Sequence, residues 1–155
     1  MNQALITALV AVGAAQLLKV PIQYANTKEW KPDKLVGTGG MPSSHSSGVA
    51  ALASYTALKY GIRTPEFAIA SMLGIIVMYD AMNIRRHAGE IAMQVNDLDV
   101  DVEKLAGGQP GIYHVRRKEK LKESLGHQPA EVAAGAILGA AIGAASALAV
   151  KSGYS

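Results

Sequence analysis

The chain has 155 residues, a length that indicates one domain, and its net charge is +3. Half of the residues are hydrophobic but only 5% are aromatic, so the apolar mass lies in Ala, Val, Leu, Ile and Met, which favours tightly packed helices over a β-sandwich. Because the chain has no cysteine, disulfides and thiolate chemistry are excluded, and the few scattered aromatic residues argue against nucleic-acid binding.

Long stretches with few or no charged residues predict helices that cross a membrane. In the first stretch the only charged residue is Lys19, and Pro21 is expected to end or kink the helix soon afterwards. The third stretch, which begins near residue 66, is expected to continue as a helix through Asp80 and the Arg85-Arg86 pair. We therefore predict an all-α integral membrane bundle, in one domain over 1–155, with about four spans near residues 3–25, 43–60, 66–84 and 130–150.

The last span contains a regular pattern of small residues. Gly135, Gly139 and Gly143 recur at four-residue spacing, and this pattern lets membrane helices approach one another closely. With so few helices in the chain, the pattern also favours a homodimer.

Residues 90–128 hold nearly half of the acids and bases and predict a water-exposed insertion with one or two short helices, the clearest at 116–125. His114 is expected to be exposed there. The acids Asp97, Asp99 and Asp101 lack the glycine and distal glutamate of a calcium loop, so a solvated acidic turn is favoured. We predict no metal site and no cofactor.

Charge counting predicts the orientation in the membrane. The loops at 19–42 and 83–130 fall on one side and contain twelve of the fifteen Lys and Arg residues. The positive-inside rule places that side in the cytoplasm.

Residues 39–47 combine two glycines, a proline, four serines and a histidine directly before an apolar run. This composition predicts a loop leading into a helix, with Pro42 in the first helical turn and Ser43 or Ser44 as the cap. Free amides at the helix start would form an anion site, and Gly40 would let the backbone approach the anion closely. His45 would lie beside this anion as a proton donor or a nucleophile. An ordinary serine-rich cap with an exposed histidine is the alternative.

Several ionisable residues fall at span ends on this same side. Because ionisable groups near hydrocarbon cost free energy, their convergence at one membrane face indicates a site. Arginine suits bidentate phosphate binding. His127 and Glu131 are four residues apart at a helix start, so the carboxylate can orient the imidazole for attack on phosphorus. Asp80 is expected to be the structural partner of a nearby cation. The converging residues are Lys19, His45, Arg85, Arg86, His127 and Glu131.

Each of these residues also has a structural interpretation. Lys19 can snorkel to the interface, and the arginine pair can anchor the third span on the cytoplasmic side. A His-x-x-x-Glu pair is commonly a surface helix pair. His87 and Glu90, three residues apart, form a competing pair.

The motifs together resemble the type 2 phosphatidic acid phosphatase superfamily, in particular its small divergent branch related to acid phosphatases and vanadium haloperoxidases. The resemblance covers most of the chain. It is carried by Lys19-Val20-Pro21, by Thr38-Gly39-Gly40-Met41-Pro42-Ser43-Ser44-His45-Ser46, by Val77-Met78-Tyr79-Asp80-Ala81 with Arg85-Arg86, and by Leu125-Gly126-His127 with Pro129 and Glu131-Val132.

The resemblance implies a metal-independent phosphomonoesterase or pyrophosphatase that acts on a lipid phosphate. By position, Lys19, Ser44 with its neighbour Ser43, and Arg85 or Arg86 would bind the phosphate, with Gly40 in support. His45 would protonate the leaving oxygen, and His127, oriented by Glu131, would be the phosphorylated nucleophile. The chain departs from the superfamily most at its third motif, because residues 87–126 separate the arginines from His127 where about five residues are usual.

The expected function is therefore dephosphorylation of a membrane lipid phosphate through a phosphohistidine. The alternative is a non-catalytic membrane protein that binds phosphorylated lipid or a protein partner through the same basic face.

Overall fold

The computed structural model describes residues 2–28, 39–107, 120–123 and 125–150. These residues form helices and no β-strand, which confirms the all-α prediction. The helices are α1 (Gln3–Thr27), α2 (Ser44–Tyr60), α3 (Pro65–Met82), α4 (Ile84–Ala106) and α5 (Pro129–Ala149).

Polar caps fix the starts of these helices. Asn2 accepts a hydrogen bond from the Leu5 amide at the start of α1, and Thr64 accepts one from Phe67 at the start of α3. Ser43 caps α2, so Pro42 lies before the cap and not in the first helical turn as predicted. Of the two serines expected to act as the cap, the structure uses Ser43.

The first helix does not end at Pro21. It continues to Thr27 and closes at Lys28, whose backbone is left-handed with φ 58° and whose N–H donates to the Tyr24 carbonyl. A proline inside a helix removes one amide donor, and α1 tolerates this loss without breaking.

The second helix is the centre of the bundle and packs against α1, α3 and α5. It runs parallel to α5, because Gly135, Gly139 and Gly143 lie in sequence over the carbonyls of Ser43, Ser47 and Ala51. A Cβ at any of these glycines would overlap the α2 backbone. The close approach predicted from the glycine spacing therefore occurs within the chain, and α2 covers the face that was expected to favour a homodimer.

Side chains are distributed by size across the bundle. The interior holds small residues such as Ala11, Ala15 and Ser47, whereas large apolar side chains such as Leu17 and Ile137 are exposed. This arrangement suits a bilayer, where lipid covers the outer face and small interior residues bring the helices together. Among the described residues three helices are long and apolar enough to span, namely α1, the continuation of α3 into α4 (Pro65–Ala106), and α5. The integral membrane bundle is confirmed, while the division into four spans stays a prediction.

The predicted water-exposed insertion is the part of the fold that differs most from expectation. The third helix stops at Met82 and does not run through the arginines, and a 23-residue helix, α4, begins after a break at Asn83. Asp97, Asp99 and Asp101 therefore lie on a helix and not in a turn. The helix predicted at 116–125 is absent from its described part, 120–123 and 125, while 116–119, 124 and His114 lie outside the described residues.

Candidate functional site

The site is built where α2 and α5 begin side by side. The Ser43 amide donates a 2.9 Å hydrogen bond to the Glu131 carbonyl, and Gly135 leaves room for the Ser43 backbone. This junction brings His45, on the first turn of α2, to the segment that leads into α5. Two helix N-termini, each with the positive end of its helix dipole, therefore lie next to each other.

His127 is held in a defined orientation immediately before α5. Its Nδ1 lies 2.9 Å from Oε2 of Glu131, and its side chain is only 5% exposed. The same Glu131 oxygen accepts a hydrogen bond from the Gln128 amide at 3.1 Å, so it acts as an acceptor toward both groups. Because a carboxylate oxygen accepts, Nδ1 is the donor in this hydrogen bond. In the neutral imidazole this tautomer leaves the lone pair on Nε2. This burial rules out a solvated surface pair for His127 and Glu131.

The third motif, split in the sequence, is joined in space. The His127 amide donates to the Ala81 carbonyl at 2.9 Å, at the end of α3. Gly126, with φ 81°, lies directly against the backbone of Arg85 and Arg86, and a Cβ there would overlap it. The long insertion thus leaves and returns at the same place.

A side-chain clamp holds the returning chain on α4. The Asn96 amide group donates to the Leu121 carbonyl at 3.0 Å and to Oε1 of Glu123 at 2.8 Å, and its Oδ1 accepts from the Leu121 amide at 2.9 Å. Gly89 adds a close backbone approach to Glu123 and Leu125. Sequence reasoning missed Asn96 and Gly89, because no local pattern distinguishes them.

A cavity of about 530 Å³ brings four predicted site residues together. We call it the histidine cavity; its ionisable lining is His45, Asp80, Arg85 and His127, and its apolar wall comes mainly from residues 75–77 and Tyr79 of α3. Arg85 is 53% exposed and its Nε lies 2.6 Å from Oδ2 of Asp80, so Asp80 has the cationic partner expected for it.

Arg86 lies in a different environment from Arg85. Its Nε lies 3.1 Å from Oε1 of Glu90, whose other oxygen is 3.1 Å from Nδ1 of His87. The His87 side chain is 69% exposed and lies outside the histidine cavity. Arg86 and Glu90 instead line a separate polar cavity of about 290 Å³, which also contacts Gly40, His127 and Glu131.

Lys19 is buried inside the bundle and does not snorkel along its outer surface. Its residue exposure is 3%, and it lines a small cavity of about 180 Å³ together with Gly40 and Glu131. The positive charges of Arg85 and Lys19 both act on the His45 side chain. The cationic groups predicted to converge at one end of the bundle do so.

The two predicted phosphate-binding serines are both buried. The Ser43 hydroxyl accepts from the Ser46 amide at 3.4 Å and from the Ser46 hydroxyl at 3.0 Å, as a helix cap does. Neither Ser43 nor Ser44 lines the histidine cavity. Their role toward phosphate stays a prediction.

These features define an integral membrane helical bundle with a cluster of ionisable side chains around the starts of α2 and α5. The chain belongs to the divergent PAP2 family, whose model matches residues 1–142. It is also similar to the uncharacterized membrane protein YuiD of Bacillus subtilis (strain 168), with 40% identity over 141 residues that cover 89% of each chain. No solved structure matches the chain. The family match confirms the resemblance found in the sequence.

Proposed function

We propose that the protein hydrolyses a phosphomonoester or pyrophosphate of a membrane lipid in the histidine cavity. The observation that carries this proposal is the buried His127, which pairs with Glu131 and lines the same cavity as His45 and Arg85. Membership of the divergent PAP2 family supports phosphatase-like chemistry. The apolar wall from α3 supports a substrate with a hydrocarbon chain, because a lipid tail can lie against it while the phosphate faces the histidines.

In the proposed reaction, Nε2 of His127 attacks phosphorus and the bond from phosphorus to the leaving oxygen breaks. His45 gives its proton to that oxygen, so the leaving group departs as the lipid alcohol or as a singly protonated lipid phosphate. Arg85 stabilises the charge on the equatorial phosphate oxygens, with the buried Lys19 adding positive potential. Water then attacks the phosphohistidine, gives its proton to His45 and releases inorganic phosphate.

We place this site on the cytoplasmic face. Twelve of the fifteen Lys and Arg residues fall in the segments 19–42 and 83–130, which also supply Lys19, Arg85 and His127 to the proposed site.

The direct test is phosphate release by the purified protein in detergent, with a lipid monophosphate and a lipid diphosphate as substrates and a chelator present. His127→Ala is expected to lose turnover, and His87→Ala, a change of the exposed histidine outside the cavity, is expected to retain it. Acid-labile phosphate on the wild-type chain, absent from His127→Ala, would support the phosphohistidine. Full turnover by His127→Ala would contradict the nucleophile assignment.

A second arm tests His45 as the acid. His45→Ala is expected to slow the formation of the phosphohistidine far more with an alkyl phosphate than with a nitrophenyl phosphate, whose leaving oxygen needs no proton. If no substrate is turned over by folded wild-type protein, but lipid phosphate binds saturably, the non-catalytic binding function is the correct one.

A further inference from the structure

The helix α4 carries an exposed apolar stripe that no described helix covers. Its members follow one another at alternating three- and four-residue steps, and Leu98 and Leu105 are 60% and 73% exposed. The α4 stripe comprises Ala88, Ile91, Val95, Leu98, Val102 and Leu105. Ile84, which lines the histidine cavity, extends the same spacing by one step.

The α4 stripe lies on a different side of the helix from the contacts already described. The returning chain approaches Gly89 through Glu123 and Leu125, and it bonds to Asn96 through Leu121 and Glu123. Gly89 and Asn96 share the next face around the helix with the buried Ala92. Within the described residues α4 packs against α3 alone among the helices. The stripe therefore plays no part in building the bundle.

We infer that the α4 stripe is a dimerisation surface and that its occupant is α4 of a second copy of this chain. The alternation of three and four residues is the heptad repeat of a two-helix coiled coil, sustained here over about three heptads. The six exposed side chains present roughly 550 Å², so their complete burial in two copies would remove about 1,100 Å² from solvent, close to the lower limit of about 1,000 Å² for a specific interface. This inference does not depend on the proposed enzymatic activity.

The charges flanking the α4 stripe permit this pairing. The positions beside the seam hold His87, Ala92, Gln94, Asp99, Asp101 and Ala106. In a parallel pair Gln94 faces Asp99, and in an antiparallel pair Gln94 faces Asp101. Neither arrangement places two aspartates opposite each other.

The bilayer surface fits the stripe less well than a second copy does. Helices that lie on membranes carry Lys and Arg on their polar side. From residue 90 to residue 106 this helix carries five acids and only one base, Lys104. An acidic polar side is repelled by the anionic lipids that attract such helices.

Cysteine cross-linking of the full chain in its membrane tests the inference, because the natural chain has no cysteine. The double variant Val95→Cys/Leu98→Cys places thiols across either a parallel or an antiparallel seam, and oxidation is expected to convert most of it to a disulfide-linked dimer. The matched control is Asp97→Cys/Lys104→Cys, on the opposite side of α4, which is expected to remain monomeric.

A second measurement avoids cross-linking altogether. Leu98→Glu is expected to halve the protein mass determined in mild detergent, and Asp97→Asn is expected to leave the dimer intact. Equal cross-linking of both cysteine pairs, or a monomeric wild type in membrane and detergent, would overturn the inference. Monomeric protein whose Leu98→Cys variant reacts only with lipid-soluble reagents would assign the stripe to the bilayer instead.

Discussion

The backbone amide of His127 donates a hydrogen bond to the carbonyl of Ala81, with 2.9 Å between the two atoms. This bond ties the residue that precedes α5 to the last turn of α3. The arginine pair that follows α3 is thereby brought beside His127, although the insertion intervenes in the chain. The split third motif is a single structural unit.

Gly126 allows the segment before α5 to pack directly against the backbone of the arginine pair. Gly126→Ala is therefore expected to disturb the site in particular. Its φ of 81° disfavours a side chain, and a Cβ would overlap the Arg86 backbone. A shift of His127 by about 1 Å is expected to lower phosphate release by about 100-fold. Gly61→Ala is the matched control, because Gly61 has a similar φ of 99° but open space around it, at the other end of the bundle. Equal activity of the two variants would contradict the close-packing role of Gly126.

Glu131→Gln tests how far the carboxylate orients His127. The glutamine keeps an oxygen that can accept the Gln128 amide, so the helix start is preserved, but the negative charge facing Nδ1 is lost. We expect phosphate release to fall by about 10- to 100-fold, as is usual for partners that orient an active imidazole. Glu90→Gln changes the exposed carboxylate beside His87 and is expected to leave the rate unaltered. An equal loss in both variants would remove Glu131 from the proposed site.

The two arginines are expected to differ in phosphate binding. Arg85 lines the histidine cavity, whereas the Nε of Arg86 pairs with Glu90 outside it. Arg85→Lys removes the planar guanidinium group, which can bind phosphate through two N–H donors. The inhibition constant for orthovanadate, a phosphate analogue, is therefore expected to rise by about tenfold, or about 1.4 kcal/mol. Arg86→Lys alters an exposed ion pair and is expected to change the constant little. A larger effect at Arg86 would reverse this assignment.

The packing of α5 on α2 is expected to dominate the stability of the bundle. Gly139→Ala places a methyl group against the Ser47 carbonyl and is expected to cost about 2 kcal/mol or more of unfolding free energy. Gly13→Ala, at an exposed position of α1 with open space around it, is expected to stabilise the protein by about 0.5–1 kcal/mol. Thermal unfolding in one detergent measures both. Unchanged melting of Gly139→Ala would show that the two helices separate more easily than this contact implies.

The apolar helices could be predicted because lack of charge is a local property. The last span was expected at 130–150 and α5 runs from Pro129 to Ala149, and the second was expected at 43–60 and α2 runs from Ser44 to Tyr60. The helix α4 was missed because its charged residues obscure the seven-residue spacing of its apolar ones.

The candidate site could be predicted only in part. Lys19 and His45 could be recognised from the sequence because they are ionisable residues beside long apolar stretches. The distinction between Arg85 and Arg86 depends on which cavity each side chain meets, which is a tertiary property. Asn96 carries no local signal at all, because its role exists only once residues 120–123 return to α4.

The distribution of side-chain size across the bundle also determines which positions can tolerate substitution during evolution. Outward positions such as Leu17 and Ile137 are exposed on the bundle, so Leu, Ile, Val and Met can replace one another there at little cost. Inward positions such as Ala11, Ser47 and Gly139 have room for no larger residue. Substitution rates across relatives should therefore be high on one side of each helix and low on the other.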